Sequence, residues 1–163
     1  MTKRLDWKAA FLAAIIAGIA FMMLEMALVK MLQGQSPWGP PRMMAAMVMG
    51  KEVLPPPGTF DATIMTVAMI IHMMLSVMLG VILGLLISRL TLHVLASVVL
   101  GAVFGVIVYY VNFYGFTALF PWFEMARGAI SIFAHAVFGA ILGGVYSAIA
   151  LHDAAKIERD VAV

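Results

Sequence analysis

Four long apolar stretches decide what this chain can fold into. They cover about residues 9–30, 62–88, 92–112 and 127–151, and Glu25 is the only acidic residue in them. A helix needs roughly 20 apolar residues to cross a hydrocarbon core of about 30 Å, and each stretch is long enough. The sequence therefore predicts an all-α integral membrane protein. We expect one membrane domain over residues 1–163, a bundle of four transmembrane helices.

The composition agrees with a chain surrounded by lipid. Hydrophobic residues make up 64% of it and charged residues only 11%, whereas a soluble domain carries about a quarter charged residues. Cysteine is absent, which excludes disulfides, thiolate metal sites and cysteine nucleophiles. The net charge of +2 is too small to indicate a nucleic-acid partner. The expected partner of most of the surface is the lipid bilayer.

Basic residues set the expected orientation. The first stretch follows Lys3, Arg4 and Lys8 as in a signal peptide, but no small-residue cleavage site comes after it, so we interpret it as a retained anchor. Alternating spans divide the basic residues into two sets: Lys3, Arg4, Lys8, Arg89, Lys156 and Arg159 on one side, and Lys30, Arg42, Lys51 and Arg127 on the other. The larger set favours the cytoplasm. We therefore expect a multi-pass protein of the bacterial inner (cytoplasmic) membrane with both termini in the cytoplasm.

Two connections on the outer side have distinctive compositions. In the first, residues 31–61, prolines flank a short apolar run at residues 43–48, which predicts a brief helix lying at the interface or dipping into the bundle. The second, residues 113–126, is rich in Phe, Tyr and Trp. Two interpretations remain open for it: an aromatic belt at the level of the lipid headgroups, or a lid over a cavity between the helices.

Small residues recur every fourth position in the last three spans. The series are His72, Ser76, Gly80 and Gly84; His93, Ser97, Gly101 and Gly105; and His135, Gly139, Gly143 and Ser147. Small residues at this spacing let helix backbones approach closely in lipid. Each step of four residues drifts by roughly 40° around the helix. Part of this surface therefore either matches right-handed crossings inside one bundle or faces a homo-oligomer partner or a larger membrane complex.

Three ionisable side chains are expected to meet in the outer half of the bundle. His72 and His135 lie on spans that run in the same direction and come to about the same depth, and Glu25 reaches that depth from the first span. His93 lies near Arg89 at the inner end and is interpreted as interfacial. Charged or polar groups in hydrocarbon cost several kcal/mol unless they pair, so they are either structural hydrogen-bonding partners or a functional site. Further side chains expected to line that site are Met22, Met26, Met69, Tyr109, Asn112 and Arg127.

The leading functional hypothesis is a small binding protein that holds haem b or a transition metal near the outer face. His72 and His135 would be the ligands of a haem, with Arg127 or Arg42 meeting its propionates, and Glu25 would complete a two-histidine, one-carboxylate metal site. Two alternatives remain open. One is a small oligomeric transporter or proton- or cation-conducting protein in which these groups titrate. The other is a purely structural membrane subunit.

Methionine is abundant, with 15 residues. We interpret the methionines as flexible apolar packing, the alternative being thioether ligands for Cu(I). Enzyme chemistry has little support, because the sequence contains no nucleophile elbow, no phosphate-binding glycine loop and no HExxH motif. Glu124 is expected to cap the fourth span and to pair with Arg127.

The loop motifs carry a resemblance to a known family. The motifs are SPWGPPRM at residues 36–43, LPPP at 54–57, TFD at 59–61, NFYGFT at 112–117 and FPWF at 120–123. With them the chain resembles a family of small uncharacterised bacterial inner-membrane proteins, some of which are labelled sodium:proline symporter. The resemblance implies a bacterial inner-membrane location and adds no site residues.

Overall fold

The structure is a computed structural model that describes residues 4–54 and 58–161. Lys3, one of the orientation charges, and the prolines at 55–57 lie outside the described residues. Every regular element in those two ranges is helical, and no strand occurs there. The α-helices are α1 (Trp7–Gln33), α2 (Gly39–Met49), α3 (Ala62–Leu90), α4 (Val94–Tyr110) and α5 (Ala129–Val161). Short π and 3-10 turns over residues 111–126 join α4 to α5.

Four of these helices, α1, α3, α4 with its continuation, and α5, are long and apolar enough to cross a membrane. The predicted all-α bundle of four spans is confirmed, and the chain is a multi-span membrane protein. Its helices are longer than expected at several ends. The largest difference is in α5, which continues to Val161 rather than ending near residue 151. The added turns are polar, and Asp153 there pairs with Lys8 at the start of α1, with 2.9 Å between Oδ2 and Nζ.

Local sequence signals set several helix ends. Asp6 and Asp61 cap α1 and α3, since Oδ1 of each accepts a backbone N–H three residues later at 2.9 Å. Gly34 ends α1 in the left-handed conformation. His93 is exposed and caps α4, its Nδ1 accepting the backbone N–H of Ala96 at 3.3 Å. His93 thus lies away from the other histidines, as predicted.

The short helix of the first long connection begins earlier than predicted. We expected the prolines to bound a helix over residues 43–48, whereas α2 begins at Gly39 with Pro40 and Pro41 in its first turn. Proline is tolerated there because the first helical N–H groups have no intrahelical acceptor. With 11 residues, α2 is about 16 Å long and too short to cross a membrane. It packs against the start of α3 through Ala45, Ile64 and Ala68.

Helix α1 packs against α3 on one side and α5 on the other, and α5 packs against α4. Helix α3 also touches α5. Although only residues 91–93 separate α3 from α4, these two helices make little contact with each other. The end of the bundle that carries α2 and the connection between α4 and α5 is called the loop end below. At the opposite end, the Tyr146 hydroxyl accepts the backbone N–H of Asp6 at 3.1 Å and lies 2.5 Å from Ser88 Oγ. This hydroxyl joins α5 to the start of α1 and to α3.

The contact between α4 and α5 is made by backbone rather than by side chains. A Cβ placed on Gly101 would lie 2.0 Å from the carbonyl oxygen of Gly139, and one on Gly105 would lie 1.9 Å from that of His135. A Cβ on Gly143 would lie 2.1 Å from the carbonyl oxygen of Ser97. Glycine is therefore required at these positions, and the two helices approach as closely as their backbones allow.

All three small-residue stripes point inward. The residues predicted to mediate helix packing are buried within the chain: Ser76, Gly80 and Gly84 on α3, Ser97, Gly101 and Gly105 on α4, and Gly139 and Gly143 on α5. The stripes are thus used for packing within one bundle. The prediction of a homo-oligomer or larger complex rested on stripes that face outward, and it stays a prediction without that support.

Large apolar side chains cover the outside of the bundle. On α4, for example, Leu95, Val99, Val103 and Ile107 are between 53% and 69% exposed, while glycine and serine occupy the opposite face. In a soluble protein this distribution would be reversed. Lipid is the environment in which large apolar residues outside and small residues inside are both favourable.

We expect Gly101→Ala to lower the free energy of unfolding by more than about 2 kcal/mol, because overpacking of a closed contact forces two backbones apart. The matched control is Gly115→Ala, where an added Cβ meets nothing within 4 Å and φ is −84°. Thermal unfolding of the purified variants in one mild detergent measures the difference. Equal melting temperatures for the two variants would contradict the packing described for α4 and α5.

Candidate functional site

A partly enclosed cavity of about 90 Å³ lies between the helices at the loop end. The polar side chains that line it are Glu25 of α1, His72 and Ser76 of α3, Asn112 after α4, and His135 of α5. The three ionisable residues that the sequence predicted to converge thus share one cavity. Their depths agree with simple helix arithmetic: Glu25, His72 and His135 lie about 12, 15 and 9 Å along their helices from the loop end.

Glu25 is the most unusual of these groups. It is 5% exposed, and its Oε1 accepts the hydroxyl of Ser131 at 2.5 Å. Its Oε2 is buried and has no hydrogen-bond partner among the described residues. Nearly all buried polar atoms in folded proteins are hydrogen-bonded, so an orphaned carboxyl oxygen beside a cavity needs an explanation.

Backbone carbonyls fix both histidine rings. His72 Nε2 lies 2.9 Å from the carbonyl oxygen of Gly18, and His135 Nδ1 lies 2.7 Å from that of Ser131. A carbonyl oxygen only accepts, so each of these ring nitrogens carries a hydrogen and donates it. The second nitrogen of His135, Nε2, lies 3.4 Å from Asn112 Nδ2.

Phe21 packs against both histidine rings. Its ring stacks on His72 with 5.4 Å between centroids and meets the edge of His135 at 4.7 Å. Bis-histidine ligation of a haem requires the two imidazoles to approach opposite faces of one flat macrocycle. The Phe21 ring is packed against both imidazoles, and the cavity of about 90 Å³ is smaller than an engineered cavity of about 150 Å³ that binds benzene. The cavity in this conformation is therefore too small for a haem.

Only some of the other side chains that were predicted to line the site do line the cavity. Met22 and Asn112 line the cavity, and Met26, Met69, Tyr109 and Arg127 do not. Met26 follows Glu25 and so projects about 100° away, and Met69 lies nearly a turn closer to the loop end than His72. Tyr109 packs against the outer side of the His135 ring, with 5.8 Å between centroids, and its hydroxyl accepts the N–H of Gly128 at 3.1 Å.

Neither arginine proposed to meet a ligand is free to do so. Arg127 Nε donates to the carbonyl oxygen of Phe113 at 2.7 Å, and its guanidinium lies over the Tyr114 ring at 4.3 Å. Arg127 also pairs with Glu124 at 3.3 Å, as predicted. Arg42 is 8% exposed and donates to the carbonyl oxygens of Val53 and Thr59. Both guanidinium groups hold loops in place.

Two segments form the roof of the cavity. Pro40, Met43 and Met44 of α2 line it from one side, and Phe113, Phe123 and Ala126 of the connection between α4 and α5 line it from the other. Trp122 Nε1 donates to the carbonyl oxygen of Met43 at 3.0 Å and joins the two segments. Phe113 and Phe123 therefore favour the lid interpretation, while Tyr114 and Phe116 are exposed, as expected for a belt.

Sequence reasoning missed Ser131 and the phenylalanines Phe21 and Phe138, of which the last two line the cavity. A signal for Ser131 was present, because it extends the four-residue spacing of His135, Gly139 and Gly143 by one step toward the loop end. No comparable spacing marks the phenylalanines among the many apolar residues of this chain.

A metal centre finds little support in this geometry. Over residues 4–54 and 58–161, no group of three or more His, Asp or Glu side chains is arranged to hold a metal ion. Glu25, His72 and His135 line the same cavity without forming such a group. A two-histidine, one-carboxylate centre would require these three side chains to come closer together, although each ring could keep its carbonyl partner and ligate through its other nitrogen.

Comparisons with family models, with curated proteins and with solved structures gave no match. The resemblance carried by the loop motifs therefore remains an expectation.

We expect Ser131→Ala to cost about 1–3 kcal/mol of stability, because it removes the donor to a buried carboxyl oxygen. In a Glu25→Met background the same substitution should cost less, since no carboxyl group is left without a partner. Unfolding of the four proteins of this double-mutant cycle in one detergent gives the coupling energy. A coupling energy near zero would argue against the Glu25–Ser131 hydrogen bond.

Proposed function

We propose that this membrane protein binds a small cation in the loop-end cavity, with Glu25 as its charged ligand. One observation carries the proposal: Glu25 lines the cavity, and its Oε2 is buried without a hydrogen-bond partner among the described residues. A carboxylate in a membrane interior is costly unless an opposite charge compensates it. A bound cation would provide that charge at the one oxygen that needs it.

The charge distribution around the cavity supports a cation rather than an anion. Among residues 4–54 and 58–161, no lysine or arginine lines it. The guanidinium groups of Arg42 and Arg127 are held by backbone carbonyls in the roof segments. Glu25 is thus the only side chain in the lining that carries a full charge when both histidines are neutral, and the site attracts positive ligands.

Binding is better supported than conduction. Toward the opposite end, the core of the bundle consists of Ala10, Ala13, Ala14, Leu83 and Leu142, each at most 1% exposed. A second cavity of about 80 Å³, lined by Asp6, Ser88 and Tyr146 among others, lies beyond this apolar layer. Passage of an ion between the two cavities would require α1 to separate from α3 and α5. A transport function therefore needs a second conformation, whereas binding needs only this one.

Haem and transition-metal binding, the leading hypotheses from the sequence, are second candidates. They keep the support of two imidazoles beside one carboxylate, but for a haem Phe21 would have to leave its contacts with both rings. The visible absorption spectrum and the metal content of protein purified from cofactor-replete cells test them directly. A stoichiometric haem band or metal would replace the proposal of a small cation.

Ligand-dependent stabilisation tests the cation proposal. A ligand at 100 times its Kd raises the stability of a protein by about 2.7 kcal/mol. We expect at least one chloride salt among sodium, potassium, ammonium and methylammonium to raise the melting temperature of the wild-type protein in nanodiscs. Glu25→Gln should abolish the shift, because the amide is neutral and similar in size.

Glu52→Gln is the matched control, since this carboxylate is exposed in the connection that contains α2 and does not line the cavity. Its salt-dependent shift should equal that of the wild type. If no cation in the panel distinguishes the wild type from Glu25→Gln, the proposal is wrong.

We further propose that the loop end faces away from the cytoplasm, as the distribution of basic residues predicts. The absence of native cysteine makes single-cysteine labelling clean. A membrane-impermeant maleimide added to spheroplasts should label Gln35→Cys at the exposed loop end, and His152→Cys only after permeabilisation. The reverse pattern would place the cavity on the cytoplasmic side.

A further inference from the structure

The hydrogen bonds of the two histidines determine what the cavity wall can offer a ligand. His72 donates from Nε2 to Gly18 and His135 donates from Nδ1 to Ser131, both to carbonyl oxygens. In a neutral imidazole the other nitrogen then carries a lone pair and no hydrogen. His72 Nδ1 and His135 Nε2 are therefore acceptors.

The remaining polar atoms are also mainly acceptors. Asn112 lies with Nδ2 toward the lone pair of His135 Nε2, which leaves its Oδ1 as an acceptor. Glu25 Oε2 has no donor in the described part of the chain. Ser76 supplies the only hydroxyl among the lining residues. A ligand that satisfies this wall must bring several N–H or O–H donors.

The apolar part of the wall selects among cations. Four phenylalanines, Phe21, Phe113, Phe123 and Phe138, line the cavity. Aromatic faces attract cations, most strongly where water is excluded, and ammonium groups are their usual ligands. Hard metal cations instead require several oxygen ligands, and the side chains here offer one carboxylate, one amide oxygen and one hydroxyl beside two imidazoles.

The size of the cavity limits the cation further. At about 90 Å³ it is smaller than the roughly 150 Å³ cavity that holds benzene. A cation with one or two heavy atoms fits, and one with five does not.

We infer that the ligand is ammonium or a small primary ammonium such as methylammonium, bound by Glu25 Oε2, His72 Nδ1 and the phenylalanine wall. This inference rests on the proposed function and gives the cation its chemical class. The N–H groups of such a cation donate to the carboxylate and to the imidazole lone pair. Its methyl group, where present, packs against the aromatic faces.

Binding of radiolabelled methylammonium to the protein in nanodiscs tests this. We expect saturable binding at about one per chain that ammonium displaces. Sodium and potassium at equal concentration should leave it unchanged, and tetramethylammonium, which has five heavy atoms and no N–H donor, should not compete.

Two leucine variants of α5 separate the phenylalanine wall from general packing. Phe138→Leu, at a residue 3% exposed that lines the cavity, should weaken methylammonium binding roughly tenfold. Phe133→Leu, at a residue 54% exposed on the outer face, should leave it unchanged. Phe123→Leu, in the roof, is the second test if Phe138→Leu fails to fold.

The outcomes distinguish the two proposals. Equal competition by sodium or potassium, with binding still lost in Glu25→Gln, would overturn the ammonium inference and leave the cation site standing. Binding that is the same in Glu25→Gln and the wild type would overturn both.

Discussion

Backbone contact between α4 and α5 is the interaction on which the rest of this structure depends. In lipid no hydrophobic effect drives helices together, so stability comes from van der Waals contact at the closest approach. Gly101 and Gly139 lie against each other's carbonyl oxygens, and Gly105 lies against that of His135. The same contact that joins the helices therefore fixes the depth and rotation of the helical turn that carries His135. From there α5 packs on α1, which brings Ser131 to Glu25.

The convergence of Glu25, His72 and His135 was predictable because it depends only on the depth of each residue in its span and on which face of the helix is packed. Once four spans alternate in direction, the rise of about 1.5 Å per residue fixes the depth of every side chain. Small residues repeated every four positions also identify the packed face of α3, α4 and α5, and this face includes His72 and His135. Depth and face together bring the histidines to one place, whatever the lateral order of the helices.

The rest of the site depends on that lateral order, which the pattern does not contain. Neighbours in sequence, α3 and α4, are hardly in contact, while α1 lies between α3 and α5. Because α1 packs against both α3 and α5, Phe21 contacts both histidine rings, and no spacing in α1 distinguishes it from the other apolar residues. The sequence pattern likewise does not indicate which backbone carbonyl each histidine ring binds. Gly18 and Ser131 are recognisable as partners only when the rotation of α1 and α5 is known.

Hydrogen bonds and apolar packing together hold the roof over the cavity. Arg42 binds carbonyl oxygens of Val53 and Thr59, both within the connection that contains α2, so these bonds hold that connection together as a unit. One side-chain hydrogen bond joins this connection to the opposite roof segment: Trp122 Nε1 donates to the carbonyl oxygen of Met43. One such hydrogen bond contributes only about 1 kcal/mol. Met43 and Met47 of α2 also pack against the buried cluster of Tyr109, Phe113 and Phe123, so apolar packing as well as this bond holds the roof and the aromatic wall of the cavity in place.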